Sequence, residues 1–306
     1  MLVPLQQPIV FEIEGFDILP GSGPFFFLLA LLFYMLVLLG NGVVVCVIVL
    51  DKKLHRPMFV MICHLVVCDL MGATAVLPHL MMDFLMGQKK IVYLAAISQA
   101  FCVHVYGVAM QTILGAMAYD RYVAVCEPLR YHTIMTSARL HFCCALAWIV
   151  ALVLIAVLFS FHMNAPLCGH IIRHVYCRYL WFYIINIDSS HFLELSVVFI
   201  IIAFSYIRIL TDSYKQCRTD SKRSVGSALV RSKAFQTCAP HLVIYTLFEI
   251  ASFIIIVSYR FPSVHPNLIK FFSILLIIIP PAINPVIYGL VIKDLRTSII
   301  PIFTRV

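Results

Sequence analysis

Seven apolar runs, each long enough to cross a bilayer, constrain this 306-residue chain more than any other feature. They fall near 25–50, 58–85, 93–125, 140–161, 191–216, 228–258 and 267–291. A hydrocarbon core about 30 Å thick takes roughly 20 consecutive apolar residues to span as helix. Within it each backbone amide must be satisfied inside its own segment, so such runs fold as helices. Hydrophobic residues make up 62% of the chain and charged ones 12%, against about 25% charged in soluble proteins. The expected fold is an all-α membrane protein, with one seven-transmembrane bundle over 1–306. A short amphipathic helix is expected in its tail, 292–306.

The first run is too long for a signal-peptide core and no basic stretch precedes it. Glu12, Glu14 and Asp17 come before it, and Lys52, Lys53 and Arg56 follow. Positive charge stays inside, so the N-terminus is expected outside the cell and, after seven spans, the C-terminus in the cytoplasm. The net charge of +8 gathers in alternate loops, at 52–56, 130–139, 215–233 and 293–296. Topology in the plasma membrane accounts for it, with anionic lipid as the counter-charge and no nucleic acid. In the tail, Lys293, Arg296 and Arg305 alternate with Leu295, Ile299, Ile300, Ile302 and Phe303. That pattern suits a helix lying on the inner membrane surface, which Pro301 is expected to shorten.

Polar residues inside the runs carry the functional signal. Asp120, Arg121 and Tyr122 sit where the third run gives way to basic residues, a boundary position that spares the charges the bilayer centre. Asp69 lies deep in the second run and needs partners, for which Asn41 and Asn284 are the candidates. Pro285 lacks a backbone donor, so the last run is expected to kink there. Of eleven cysteines, only Cys168 and Cys177 fall in the long loop 162–190 expected outside; they either bridge each other or remain free thiols. No metal-ligand constellation, cofactor motif or nucleophile with a positioned base is present, which argues against an enzyme. Seven spans without an internal repeat argue against the runner-up from another class, a secondary transporter.

Several motifs together resemble the odorant receptors, a branch of the class A (rhodopsin-like) G-protein-coupled receptors. These are Leu54-His-Arg-Pro-Met-Phe59, the run 117–131 around Asp120-Arg121-Tyr122, and Ser205-Tyr206. Lys233-Ala-Phe-Gln-Thr-Cys-Ala-Pro-His241 and Pro280-Pro-Ala-Ile-Asn-Pro-Val-Ile-Tyr288 complete the set. The likeness runs from Gly40 to Arg296 and is strongest to the fish-like class; a non-olfactory chemoreceptor is the alternative within receptors. It implies a small-molecule odorant as ligand and a heterotrimeric stimulatory G protein of the olfactory type as partner. It further implies a switch in which Arg121 leaves Asp120 to face Tyr206 and Tyr288. Lys233, His241, Asn284 and Pro285 belong to the same activation machinery by that likeness.

The resemblance also places the odorant in the outer half of the bundle. His104, Gly107, Val108 and Gln111 share one face of the third span. Glu249, Phe253, Ile256 and Arg260 share a face of the sixth, and His191 with Glu194 comes from the fifth. An arginine at Arg260 with a histidine at His104 looks like a carboxylate clamp, whereas Glu249 and Glu194 suit an amine. Glu249 and Arg260 are eleven residues apart, about 16 Å along a helix, so one small amino acid does not bridge both unaided. Carboxylate, amine and amino-acid ligands therefore stay open. Three departures from the family stand out. Ala96 occupies the usual disulfide cysteine position, Met110 replaces a common glutamate, and no Asn-x-Ser/Thr sequon exists.

Overall fold

The computed structural model describes residues 10–126, 130–163, 171–172 and 265–304, with Thr211, Val243, Thr246, Ile250 and Ile254 in addition. Its helices are α1 (Gly23–Leu50), α2 (Pro57–Met86), α3 (Tyr93–Cys126), α4 (Tyr131–Ile134), α5 (Ser137–Met163), α6 (Pro266–Val291) and α7 (Lys293–Thr304). Five of these contain stretches long and apolar enough to cross a membrane: Gly23–Leu50, Pro57–Met86, Tyr93–Arg121, Ser137–Val157 and Asn267–Leu290. The expected spans at 191–216 and 228–258 lie outside the described residues, apart from the five isolated positions named above.

Local sequence sets the helix starts. Proline stands in the first turn of α1, α2 and α6, where its missing N–H costs nothing because that donor has no partner inside the helix. At α6 the ring Nδ1 of His265 accepts the Asn267 N–H at 3.2 Å, satisfying one of the orphan amides. Among the described helices α3 is the most buried, with 61% of its apolar stretch covered, while α1 and α5 bury 28% of theirs. Helices α1, α3 and α6 pack against α2, and α3 packs against α5. Ile62 and Leu65 of α2, Ala109 and Ile113 of α3, and Ala151 and Ile155 of α5 build one core cluster. Val37, Leu77, Leu80, Ile274 and Ile277 build a second, where α1, α2 and α6 meet.

A small sheet, which the all-helical reading did not foresee, closes one end of the bundle. Strand β1 (Val10–Ile13) pairs antiparallel with β2 (Lys90–Val92) and parallel with β3 (Ile171–Ile172), in the order β2-β1-β3. Phe11 and Ile13 turn inward and are buried, while Val10 and Glu12 stay exposed. That is the two-residue alternation of a strand with one covered face. One strand precedes α1, another joins α2 to α3 and the third follows α5, so chain order puts all three at the same end of the bundle.

The opposite end is tied by polar contacts of α7. Arg56 donates to Asp294 at 3.0 Å, and the Ser298 hydroxyl donates to Asp51 at 2.7 Å. Pro301 does not shorten α7, which continues to Thr304. A proline removes one N–H to the carbonyl four residues back, and two turns of helix already precede it. The Ser298 bond, then the Lys53 backbone N–H, hold the Asp51 carboxyl below its ordinary value. A depressed carboxylate pKa means the contact is fully present above the ordinary aspartate range and is lost as pH falls through the lowered value. Ser298→Ala is expected to raise the Asp51 pKa toward the ordinary value, read by carboxyl NMR titration. An unchanged midpoint would show that the hydroxyl does not set it.

Candidate functional site

At its C-terminal end α3 carries a compact ionic knot. Asp120 is almost fully buried, and its Oδ2 accepts from Arg121 Nε at 3.0 Å and also from Nη2. Its other oxygen accepts the Tyr131 hydroxyl at 2.8 Å, so both carboxylate oxygens are bonded. Tyr131 comes from α4, the single turn that follows α3. Burial first, and then the Asp120 charge, push the Tyr131 phenol well above its usual range, so it stays protonated as a donor. Sequence reading assigned Tyr131 no role; its one available signal was its place as the last residue of the run 117–131. Tyr122 is the α3 residue that follows Arg121.

A second polar group links α1, α2 and α6. Asn284 Nδ2 donates to Asp69 Oδ2 at 2.7 Å, both fully buried. Asn41 is equally buried but does not reach Asp69. Its Nδ2 donates to Val37 O and Pro281 O, each at 2.9 Å. The physical reason lies four residues along α6. The Pro281 carbonyl would accept the N–H of residue 285, and Pro285 has none. Asn41 supplies the missing donor from a neighbouring helix. It gets close enough because Gly40 has no side chain: a Cβ there would lie 3.2 Å from the Pro285 ring. Gly40, Asn41 and Pro285 are thus one contact, and α6 remains helical through Pro280, Pro281 and Pro285. Tyr288, one turn on, is fully buried.

Toward the sheet end, α3 presents His104, Val108 and Gln111, all buried, with Gly107 half-buried between them. His104 Nδ1 lies 2.6 Å from the Ala100 carbonyl of its own helix, and its ring meets Phe159 of α5 edge-on at 6.0 Å. These contacts fix the imidazole plane. Ala96 and Met110 are fully buried, which makes them core residues, and Cys102 is a free thiol. Cys168, Cys177, His191, Glu194, Tyr206, Lys233, His241, Glu249, Phe253, Ile256 and Arg260 lie outside the described residues. Among the described residues no group of His, Cys, Asp and Glu is arranged to hold a metal ion.

Two features at this end were not read from the sequence. Lys270 of α6 is 2% exposed and bonds Glu14, just after β1, at 2.8 Å. A largely apolar cavity of about 560 Å³ lies between α1, α2, α6 and the segment Phe16 to Ile18, and neither Lys270 nor Glu14 lines it. Phe26, Phe33, Phe84 and Phe271 are among its walls, with Asp17 and His265 at the polar side.

Comparison with known proteins fits this arrangement. The profile of the olfactory receptor family matches residues 30–305. Human olfactory receptor 2G6 is 33% identical over 300 residues, covering 94% of this chain and 92% of that protein. Human olfactory receptor 2K2 is 30% identical with the same coverage of both chains, and human olfactory receptor 52J3 is 32% identical over 98% of this chain and 97% of its own. Matches of this extent, together with apolar helices and an ionic knot at the end of α3, mean that the chain belongs to the olfactory receptor family: seven-helix G-protein-coupled receptors of the membrane, which sense odorants and are not enzymes.

Proposed function

We propose that the protein binds a small carboxylate odorant in the outer half of its bundle and activates a stimulatory G protein of the olfactory type. The buried Asp120–Arg121–Tyr131 knot is the observation that carries the signalling half of this reading. It stores a charge pair at a helix end, where a modest helix movement exchanges one set of partners for another. Arg121 passes from Asp120 to the neighbourhood of Tyr206 and Tyr288, with Tyr122, Lys233, His241, Asn284 and Pro285 in the moving parts. The N-terminus lies outside the plasma membrane and the C-terminus in the cytoplasm, with the whole chain 1–306 acting as one domain.

The ligand half rests on the outer bundle. His104 and Arg260 form the carboxylate clamp, as in the fish-like class, while Gly107, Val108, Gln111, Phe253 and Ile256 supply the walls. The alternative is the amine that Glu249, Glu194 and His191 would hold. The test is a cyclic-AMP assay in cells carrying an olfactory stimulatory G protein. Carboxylic acids, amines and amino acids are applied to the parent, Arg260→Ala and Glu249→Gln at matched surface expression. Acids are expected to activate the parent, with potency falling at least tenfold in Arg260→Ala alone. Amine responses lost only in Glu249→Gln would replace the carboxylate reading with a cationic one. Silence throughout, with substrate flux in vesicles, would replace the receptor with a transporter.

A further inference from the structure

Lysine is rarely buried without a counter-ion, because stripping water from an unpaired ammonium is costly. Lys270 stands three residues inside the membrane-crossing stretch of α6 and is 2% exposed. Its carboxylate partner among the described residues comes from outside the spanning helices: Glu14, in the segment that leads from β1 into α1. The two sides of the pair differ in access. The Glu14 side chain is 37% exposed while Lys270 is 2% exposed, so the pair meets solvent on its Glu14 side.

The segment does not depend on that carboxylate to stay docked. Ile13 N–H donates to the Lys89 carbonyl at 2.6 Å, and Lys89 Nζ donates to the Glu14 carbonyl at 2.9 Å. Asn267 then grips Asp17 twice, donating to its carbonyl at 3.1 Å and accepting its N–H at 3.4 Å. All four bonds engage the backbone of the segment. None of them uses the Glu14 carboxylate, so they hold the segment independently of its bond to Lys270.

Resting on the odorant-receptor reading, we propose that Lys270 is a carboxylate-binding site, and that Glu14 is its tethered resident carboxylate, displaced when an acid odorant binds. The exchange is isoelectric: one carboxylate leaves the ammonium for water and another takes its place, so the buried cation is never unpaired. An ester or alcohol of the same length offers no charge and does not displace Glu14. Ile274, one turn from Lys270, belongs to the apolar cluster of α1, α2 and α6, and Phe16 and Phe84 pack against that cluster, a setting that suits a hydrocarbon tail.

The test is direct binding of radiolabelled octanoate to the full-length receptor in lipid nanodiscs, with methyl octanoate and octanol as competitors. Glu14→Gln removes the resident carboxylate and is expected to tighten octanoate binding about tenfold while leaving octanol unchanged. Lys270→Gln is expected to abolish the preference for octanoate over its methyl ester. The double variant, which leaves no charge at the pair and so tolerates any misfolding of the single lysine change, is expected to behave like Lys270→Gln. Octanoate affinity equal in the parent and Glu14→Gln, or octanoate binding in neither, overturns the site. A preference that survives both variants and disappears only in Arg260→Ala also overturns it, leaving the receptor reading and its clamp intact.

Discussion

Asp120→Asn is expected to raise ligand-independent cyclic-AMP output at least fivefold at matched surface expression. The parent carboxylate accepts two bonds from Arg121 on one oxygen and the Tyr131 hydroxyl on the other. Asparagine keeps the shape, removes the charge and leaves a single neutral oxygen to accept from the guanidinium, its amide NH2 turning to the Tyr131 hydroxyl. Breaking a fully buried ion pair costs about 3–5 kcal/mol, but the Arg121 side chain is 15% exposed and reaches water by a small shift. Most of the loss therefore falls on the resting arrangement rather than on folding. A bias of about 1 kcal/mol is enough for a fivefold shift in a two-state equilibrium. Tyr131→Phe removes one bond to a charged acceptor, worth about 1.5–3 kcal/mol, but leaves the Asp120–Arg121 pair in place and is expected to raise basal output less. Basal output in Asp120→Asn equal to the parent's would mean that the knot does not hold the resting state.

What the sequence made legible was whatever the bilayer itself dictates. Runs expected at 58–85, 93–125 and 267–291 are realised as Pro57–Met86, Tyr93–Cys126 and Pro266–Val291. Their ends agree within two residues because a helix in hydrocarbon cannot stop without orphaning its amides. Positions inside them were legible by type, though not always by partner. Asp69 demanded a donor and Asn284 provides it, yet Asn41 serves the carbonyl that Pro285 leaves open. That choice depends on how closely Gly40 lets α1 approach, which no spacing along the chain reports. The Glu14–Lys270 pair was hidden by 256 residues of separation, and by a rule that reads Glu14 as a topology signal. Strand β1 was hidden because four residues are too few for periodicity to register, and its partners lie in two distant loops.

Gly72→Leu is expected to be strongly destabilising. An ideal Cβ at Gly72 would lie 2.6 Å from Cγ of Tyr106, 2.8 Å from Cδ2 and 3.0 Å from Cδ1, so the ring sits flat on the glycine. Tyr106 is itself 2% exposed, with neighbours on all sides, and cannot retreat. Helices in membranes rely on such small residues to approach closely, since lipid offers little drive to pack apolar faces. Overpacking of this kind typically costs 1–3 kcal/mol, on the order of 5 °C in thermal midpoint for a chain of this size. Gly72→Ala already places the offending carbon, so it should lose most of that midpoint; the longer leucine adds the rest. In a Tyr106→Ala background the ring is gone and Gly72→Ala should cost almost nothing. The double-mutant cycle, read as thermal unfolding of purified receptor, isolates the contact from the general cost of truncating a tyrosine. Additive losses would place the strain elsewhere, whereas strong coupling would establish the Gly72–Tyr106 contact as what sets the α2–α3 distance, and with it the position of His104 and Gln111 on the same helix.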